Sequence, residues 1–220
     1  MSDTITLTAE DGHAFDAWTT PAEGTRRGGL VILQEIFGLT DQLKDVGRAY
    51  AAQGWAVAMP ALFDRAERGA VVPFDDARRG RDLMQAIPRD ATMRDIAATV
   101  RHLSADGPVA VLGFCWGGGL AVRAAQETGV AAAVAFYGTR LDTILDGTRL
   151  KAPLQFHAGR TDDHTPADLV ARLAEFGEAE VHWYDAGHAF ANDRRASFVP
   201  EAAALAHDRA AAFLADRVRA

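Results

Sequence analysis

The sequence predicts an α/β domain in which helices cover both faces of a mostly parallel sheet. Strands covered on both faces need unbroken apolar runs, and four short segments have them: residues 30–33, 55–59, 109–112 and 130–136. Stretches with helical spacing of apolar residues alternate with these segments, which favours a doubly wound sheet. The chain has 220 residues, 49% of them hydrophobic, and this is the size of one such domain.

The strands begin with a predicted antiparallel hairpin. Residues 4–8 alternate polar and apolar side chains, and residues 14–19 continue the alternation after a turn at 11–12. Two later segments, 153–158 and 180–184, are further strand candidates. The total is about eight strands.

Helical spacing fills the gaps between the strands. Thr40 is the expected N-cap of the first helix, which should stop at Gly54, and Asp75 is expected to cap a second helix that ends before Pro88. The remaining helices are predicted around 93–103, at 116–128, from Pro166 in the first turn to Phe176, and from about 200 to 218.

Composition argues against several classes of protein. The formal charge is −7 and the basic residues are scattered, which argues against a nucleic-acid partner. A single cysteine excludes an intrachain disulfide and a cysteine-based zinc cluster. No apolar run is long enough to span a bilayer and no secretory signal is visible, so we expect a cytoplasmic protein without a membrane partner.

The loop after residues 109–112 has the pattern of a nucleophile elbow with cysteine as the nucleophile. It reads Gly113-Phe114-Cys115-Trp116-Gly117-Gly118. Glycine on both sides of the sharp turn removes Cβ atoms that would clash, and the helix that follows favours a thiolate through its unpaired N–H groups. The alternative is a buried structural cysteine, and the strand, glycines and helix together favour the nucleophile.

Such a nucleophile needs a base later in the chain, and His188 is the best candidate. It follows the strand at 180–184, where a loop would present it at the carboxyl edge of the sheet. The other histidines are expected inside strands (His157 and His182), at turn or surface positions (His13, His102 and His207), or in another loop (His164).

The acid that would orient this histidine is expected in the loop after 153–158. Asp162 and Asp163 are adjacent there, and both could face His188. Composition leaves the choice between them open. The other carboxylate would be solvated or would cap the helix ahead of Pro166.

A further carboxylate follows the strand at 30–33, in the stretch Gln34-Glu35-Ile36-Phe37-Gly38. Glu35 could accept the thiol proton of Cys115 or hydrogen-bond to it. The backbone N–H groups of Ile36 and Trp116 would form an oxyanion hole. The alternative for Glu35 is a loop glutamate in water.

Together these motifs resemble the dienelactone hydrolase (carboxymethylenebutenolidase) family, over about residues 5–215. The resemblance also rests on Asp162 with Pro166 four residues on, and on Val181-His182-Trp183-Tyr184 leading into Gly187-His188-Ala189-Phe190. It implies an α/β-hydrolase fold in one domain over residues 1–220. It also implies that Cys115 is the nucleophile, His188 the base and Asp162 the acid.

The resemblance further implies the reaction, which is the opening of an enol-lactone or related activated ester through a thioacyl-enzyme. The family needs no metal or organic cofactor, and its glutamate, here Glu35, contacts the resting thiol. The expected partner is a small-molecule lactone or ester, and the expected assembly is a monomer or homodimer.

The substrate-binding positions depart from the family pattern. Asn192 stands where the family has an arginine, with Arg194 and Arg195 slightly later. A second family arginine lies in the helix at 75–87, where three residues compete for the position. The substrate-binding candidates are Arg78, Arg79, Arg81, Phe37, Phe136, Tyr137, Ala189 and Asn192. The chemistry is therefore better supported than dienelactone as the substrate.

Two other functions stay open. A general carboxylesterase or another small-lactone hydrolase would use the same scaffold, and Asn192 with the competing arginines leaves room for it. A non-catalytic thiol sensor would have Cys115 oxidised to sulfenic acid. A base and an acid in elbow order argue against the sensor, because sensing needs neither.

Overall fold

In the computed structural model, which describes residues 2–218, eight strands form one sheet. They are β1 (Asp3–Thr8), β2 (Ala14–Thr20), β3 (Gly28–Leu33), β4 (Trp55–Pro60), β5 (Val109–Phe114), β6 (Ala132–Phe136), β7 (Leu154–Gly159) and β8 (Ala179–Tyr184). Their order is β1-β2-β4-β3-β5-β6-β7-β8. Strands β3 to β8 are parallel, whereas β2 pairs antiparallel with both β1 and β4. The predicted hairpin and mostly parallel sheet are confirmed.

The helices follow the predicted alternation. They are α1 (Asp41–Ala51), α2 (Ala77–Ala86), α3 (Arg89–Ser104), α4 (Trp116–Glu127), α5 (Leu141–Ile144), α6 (Ala167–Ala171), α7 (Leu173–Phe176) and α8 (Pro200–Arg217), with a 3₁₀ turn at Leu62–Arg65. The helix predicted between Pro166 and Phe176 is divided at Arg172, and Pro166 is an N-cap rather than a first-turn residue.

Of the two predicted helix caps, one is confirmed and one is wrong by a single residue. The Thr40 side chain accepts a hydrogen bond from the Leu43 N–H at 3.2 Å, as predicted. Asp75 does not cap α2, because it is the neighbouring Asp76 whose carboxylate accepts from the Arg79 N–H at 3.1 Å. A cap is decided by which side chain reaches the third N–H of the helix, and one residue of shift moves it.

Continuous apolar strands are explained by a core on each face of the sheet. In β3, Val31 and Leu33 pack into one core, whereas Leu30 and Ile32 pack into the other. All four side chains are fully buried. Side chains alternate across a strand, so a sheet covered on both faces needs apolar residues at every position.

His207 belongs to this core, and the prediction of a turn or surface position for it is wrong. It lies on α8 with its ring 4.8 Å from Phe136 and 6.0 Å from Phe114, and its Nδ1 atom is 3.1 Å from the Tyr50 hydroxyl. Burial lowers the pKa of His207 to about 4. Its neighbours come from β5, β6 and α1, which no local pattern around position 207 could indicate.

No helix within residues 2–218 combines the length and apolarity that crossing a membrane requires. The expected cytoplasmic location and the monomeric or homodimeric state stay predictions. The parallel strands place the loops after β3, β5, β7 and β8 at one edge of the sheet, and the chemistry-bearing residues lie in these loops.

Candidate active site

Cys115 lies at the sharp turn between β5 and α4. Its φ is +54°, a left-handed conformation that non-glycine residues rarely adopt, and the residue is 8% exposed. The turn is held by three backbone hydrogen bonds. The Cys115 N–H donates to the Phe136 carbonyl at 3.0 Å, and the Cys115 carbonyl accepts from Gly119 at 3.1 Å and from Thr139 at 3.0 Å.

The glycines beside this cysteine are required by backbone contacts. A Cβ atom at Gly113 would overlap the carbonyl oxygen of Gly117, and one at Gly117 would overlap the carbonyl oxygens of Leu33 and Gln34. The first turn of α4 therefore lies directly against β5 and the loop after β3. This close approach holds Cys115 at the edge of the sheet.

His188 and Asp162 form a hydrogen-bonded pair next to this turn. The His188 Nδ1 atom is 2.8 Å from Asp162 Oδ2, and the other carboxylate oxygen accepts from the His164 N–H at 2.8 Å. Asp162 is buried whereas Asp163 is exposed. The structure therefore distinguishes the two aspartates that composition leaves equivalent.

The pKa of His188 is raised to about 10 although the side chain is largely buried. Burial alone would lower it, but hydrogen bonds with Asp162 and with Cys115 favour the imidazolium and outweigh burial. Burial would raise the pKa of Asp162, but the hydrogen bond with His188 and its positive charge outweigh burial and lower it. A protonated His188 beside Cys115 would stabilise a thiolate there.

Glu35 is buried and does not lie in water. Its Oε2 accepts a hydrogen bond from Asn192 Nδ2 at 2.6 Å, and within residues 2–218 it makes no hydrogen bond to Cys115. Burial raises the pKa of Glu35, opposed by the Asn192 bond and by the positive charges of His188 and Arg195. The thiol contact that the resemblance implies is thus replaced by an amide contact.

The two backbone N–H groups predicted to form an oxyanion hole, those of Ile36 and Trp116, make no hydrogen bond within residues 2–218. Their loops are tied together, because the Gly117 N–H donates to the Gln34 carbonyl at 3.0 Å. The buried Gln34 side chain also accepts from the Leu62 N–H at 3.1 Å, which fixes the loop after β3.

A cavity of about 350 Å³, the catalytic pocket, opens over these groups. It is lined by Glu35, Ile36, Phe37, Ala77, Arg81, Met84, Cys115, Thr139, Arg140, Asp142, His164, His188, Ala189 and Arg195. Within residues 2–218, no three His, Cys, Asp or Glu side chains are grouped so that they could hold a metal ion.

Known proteins resemble this chain in sequence and in fold. A model of the dienelactone hydrolase family matches residues 15–218. The chain belongs to the dienelactone hydrolase family. It is 34% identical to a carboxymethylenebutenolidase of Pseudomonas putida, over 98% of this chain and 97% of that one, and 33% identical to one from Pseudomonas sp. strain P51, over 95% and 93%.

Solved structures show the same fold. A Klebsiella pneumoniae protein assigned as a dienelactone hydrolase superposes with a TM-score of 0.82 at 24% identity, over 98% of this chain and 99% of that one. A dienelactone hydrolase-like promiscuous phosphotriesterase from metagenomic libraries gives 0.80 at 20% identity, over 98% of each chain. The predicted α/β-hydrolase fold is confirmed, and the family makes the chain a hydrolase of the lactone and ester class.

The structure distinguishes the three arginine candidates on α2. Of the three candidates on α2, only Arg81 lines the catalytic pocket. Arg78 is exposed outside it, and Arg79 is 2.6 Å from Glu67 in an ion pair, so both predictions are wrong. Consecutive helical residues point in directions about 100° apart, and only the packing of α2 decides which one faces the pocket.

Arg195, rather than the predicted Asn192, lines the pocket. Asn192 is buried on Glu35 and does not line the pocket, so its prediction as a substrate-binding residue is wrong. Arg195 does line it, with its guanidinium carbon 5.1 Å from the centre of the Phe37 ring. The turn that brings Arg195 there is closed by its own N–H, which donates to the Asn192 carbonyl at 3.0 Å.

The remaining candidates lie at different depths. Phe37 and Ala189 line the pocket as predicted. Phe136 does not, because it is fully buried and stacks 4.5 Å from His157 in the core. Tyr137 lies behind the site, with its ring 5.2 Å from that of His188. Tyr137 follows the end of β6 with a positive φ of +38°, and its ring packs 6.3 Å from that of Phe136 in the same core.

Proposed function

We propose that this dienelactone hydrolase opens enol-lactones or related activated esters through a thioacyl-enzyme on Cys115. The observation that carries the proposal is buried Asp162 hydrogen-bonded at 2.8 Å to His188, which lines the same pocket as Cys115 at the strained turn. His188 takes the thiol proton, and Asp162 holds the ring and stabilises the imidazolium.

In the acylation step, the two unpartnered N–H groups stabilise the negative charge on the substrate oxygen. The thiolate attacks the substrate carbonyl carbon, and the Ile36 and Trp116 N–H groups bind the oxygen as it becomes negative. The carbonyl re-forms as the C–O bond to the leaving enolate breaks, which leaves a thioester on Cys115. In comparable sites, losing one such donor costs about 3–4 kcal/mol of transition-state stabilisation.

Hydrolysis returns the enzyme to its resting state. The released enolate takes the proton from His188. Neutral His188 then deprotonates a water that attacks the thioester, and the same N–H pair binds the second oxyanion. The C–S bond then breaks, and the free acid and the thiolate are released. When the substrate is an enol-lactone, the enol and the acid stay in one molecule, and the enol becomes a ketone.

The substrate class is supported by relatives and by chemistry. The curated relatives are carboxymethylenebutenolidases, and a thiolate suits substrates whose leaving group is an enolate, because that group departs with little protonation. Glu35 holds Asn192 in the resting enzyme.

Trapping the acyl-enzyme tests the proposal directly. Mixing the enzyme with an activated aryl ester and quenching with acid should add the mass of one acyl group to the Cys115 peptide, after a burst of about one equivalent of leaving group. Cys115 is the only cysteine, so alkylation beforehand with iodoacetamide is a clean control that removes the adduct. Steady turnover with no adduct and no burst would contradict a covalent mechanism.

Asp162→Asn tests whether the Asp162 carboxylate raises the pKa of His188. Without the carboxylate the pKa of His188 should fall well below about 10, because burial then acts with less opposition. We expect kcat to fall by about 10³-fold or more. The pKa is measured by NMR titration of the labelled imidazole.

The sign of the pH effect on stability follows from the same shift. Protonated His188 stabilises the folded state fully below its unfolded pKa of about 6.5, and this contribution is lost as the pH rises toward about 10. The free energy of unfolding should therefore decline more between pH 6.5 and 10 in the wild type than in Asp162→Asn. Equal declines would show that the pair is not the cause.

A further inference from the structure

A cavity of about 350 Å³ lies next to the catalytic pocket and has no assigned role; it is called the second cavity below. Met84, Thr139 and Arg140 line both spaces, and Trp116, next to Cys115, lines the second. The two cavities together are larger than a five-membered lactone needs. The shared residues Thr139 and Arg140 lie between Cys115 and the second cavity along the lining.

The arginines of the catalytic pocket are three of the nine arginines within residues 2–218 that form no ion pair. Arg81, Arg140 and Arg195 all line it, and within residues 2–218 none of them forms an ion pair with a carboxylate. Eleven other described arginines do form such pairs. An unpaired guanidinium in a concave site is available for an anionic ligand.

Arg140 differs from the other two because it stands at the junction of the cavities. Its backbone is left-handed with φ of +61°, and it precedes α5. The loop is fixed, because the Thr139 N–H donates to the Cys115 carbonyl at 3.0 Å and the Arg140 carbonyl accepts from Thr143 at 3.1 Å. Arg140, which follows Thr139, thus places a positive charge where the two cavities share their lining.

The charged groups around the second cavity leave that cation uncompensated. Arg89 also lines the cavity and donates to the Thr143 carbonyl at 2.7 Å. Asp90 is the only carboxylate lining it, among the residues described, and is 3.2 Å from Arg94 in an ion pair. Asp142 lines the catalytic pocket but not the second cavity.

We propose that Arg140 binds an anionic group at the far end of the acyl chain, so that the preferred substrates are esters or lactones of dicarboxylic acids. The inference rests on the proposed acylation of Cys115. It assigns an anion-binding position to Arg140, apart from Arg81 and Arg195, and it assigns the second cavity to the distal part of the substrate.

The test compares two substrates that differ in one charge, the aryl monoester of glutaric acid and its methyl-capped form. The wild type should prefer the acidic ester by about tenfold or more in kcat/KM, the loss expected for one charge-assisted hydrogen bond. Arg140→Gln should remove the preference, so that the ratio of the two kcat/KM values falls to about one. Arg140→Lys should keep part of it.

Arg78→Gln is the matched control, since it removes the same charge from an exposed position outside both cavities. An unchanged preference in Arg140→Gln, or an equal loss in Arg78→Gln, would overturn the assignment. Gln85 lines only the second cavity, and Gln85→Trp should selectively slow longer diacid esters such as the suberate. Equal effects on acetate and suberate esters would remove the second cavity from the proposal.

A binding measurement separates this inference from the proposed function. Glutarate should protect Cys115 from iodoacetamide, and Arg140→Gln should raise the concentration needed for half protection by about tenfold. Protection that depends on Arg140 without any acyl-enzyme would retain the anion site and reject the covalent mechanism. Acylation without such protection would do the reverse.

Discussion

Cys115→Ala should lower kcat/KM for an activated ester by at least about 10³-fold, because no other side chain in the pocket can form the thioester. Removal of the sulfur also removes the hydrogen bond that helps to raise the pKa of His188. The free energy of unfolding should change by only about 1 kcal/mol, since a single small group is lost from a residue that is 8% exposed.

Rate and stability must be measured on the same preparation, by steady-state kinetics and by urea unfolding. Cys115→Ser is the companion variant, which keeps a nucleophile of similar size but much higher pKa, and it should also be strongly impaired. Activity of Cys115→Ala within tenfold of the wild type would remove Cys115 from the mechanism. A sensor without catalysis would show no turnover in the wild type either.

Gly113→Ala should be the most destabilising single methyl addition in the site. The new Cβ would overlap the carbonyl oxygen of Gly117, so β5 and the first turn of α4 would have to separate. We expect a loss of about 3 kcal/mol in the free energy of unfolding, at the upper end for overpacking. We also expect a large loss of activity, because Cys115 sits between the two displaced segments.

Gly187→Ala is the control for this variant. Its added methyl group would make only ordinary contacts, at 3.6 and 3.7 Å, with Thr161. Its stability should be unchanged or slightly raised, since alanine restricts the unfolded chain more than glycine does. If Gly113→Ala unfolds at the same urea concentration as Gly187→Ala, the tight approach of helix and strand is not what holds the turn.

The sheet could be predicted because the pattern that encodes it is local. Leu30 to Leu33 are apolar at every position, and a strand covered on both faces is the simplest structure that buries such a run. The elbow is also local, since Gly113, Cys115 and Gly117 stand within five residues of one another. The catalytic roles of Cys115, His188 and Asp162 stay predictions until the experiments above are done.

The choice between Asp162 and Asp163 marks the limit of local reasoning. The two residues are adjacent and chemically identical, and only the spacing to Pro166 in related proteins separates them. In the structure, the direction of the loop buries one carboxylate against His188 and leaves the other in water. That direction depends on β8, which delivers the histidine from more than twenty residues away.

The sequence by itself determined the order of strands and helices, the position of the elbow and the family, because these depend on short-range periodicity and on motif order. Only the tertiary structure decided that Asn192 holds Glu35 across 157 positions of chain, that Arg81 rather than Arg78 or Arg79 faces the pocket, and that Phe136 belongs to the core. The physical reason is that a side chain's partners are set by how distant segments pack.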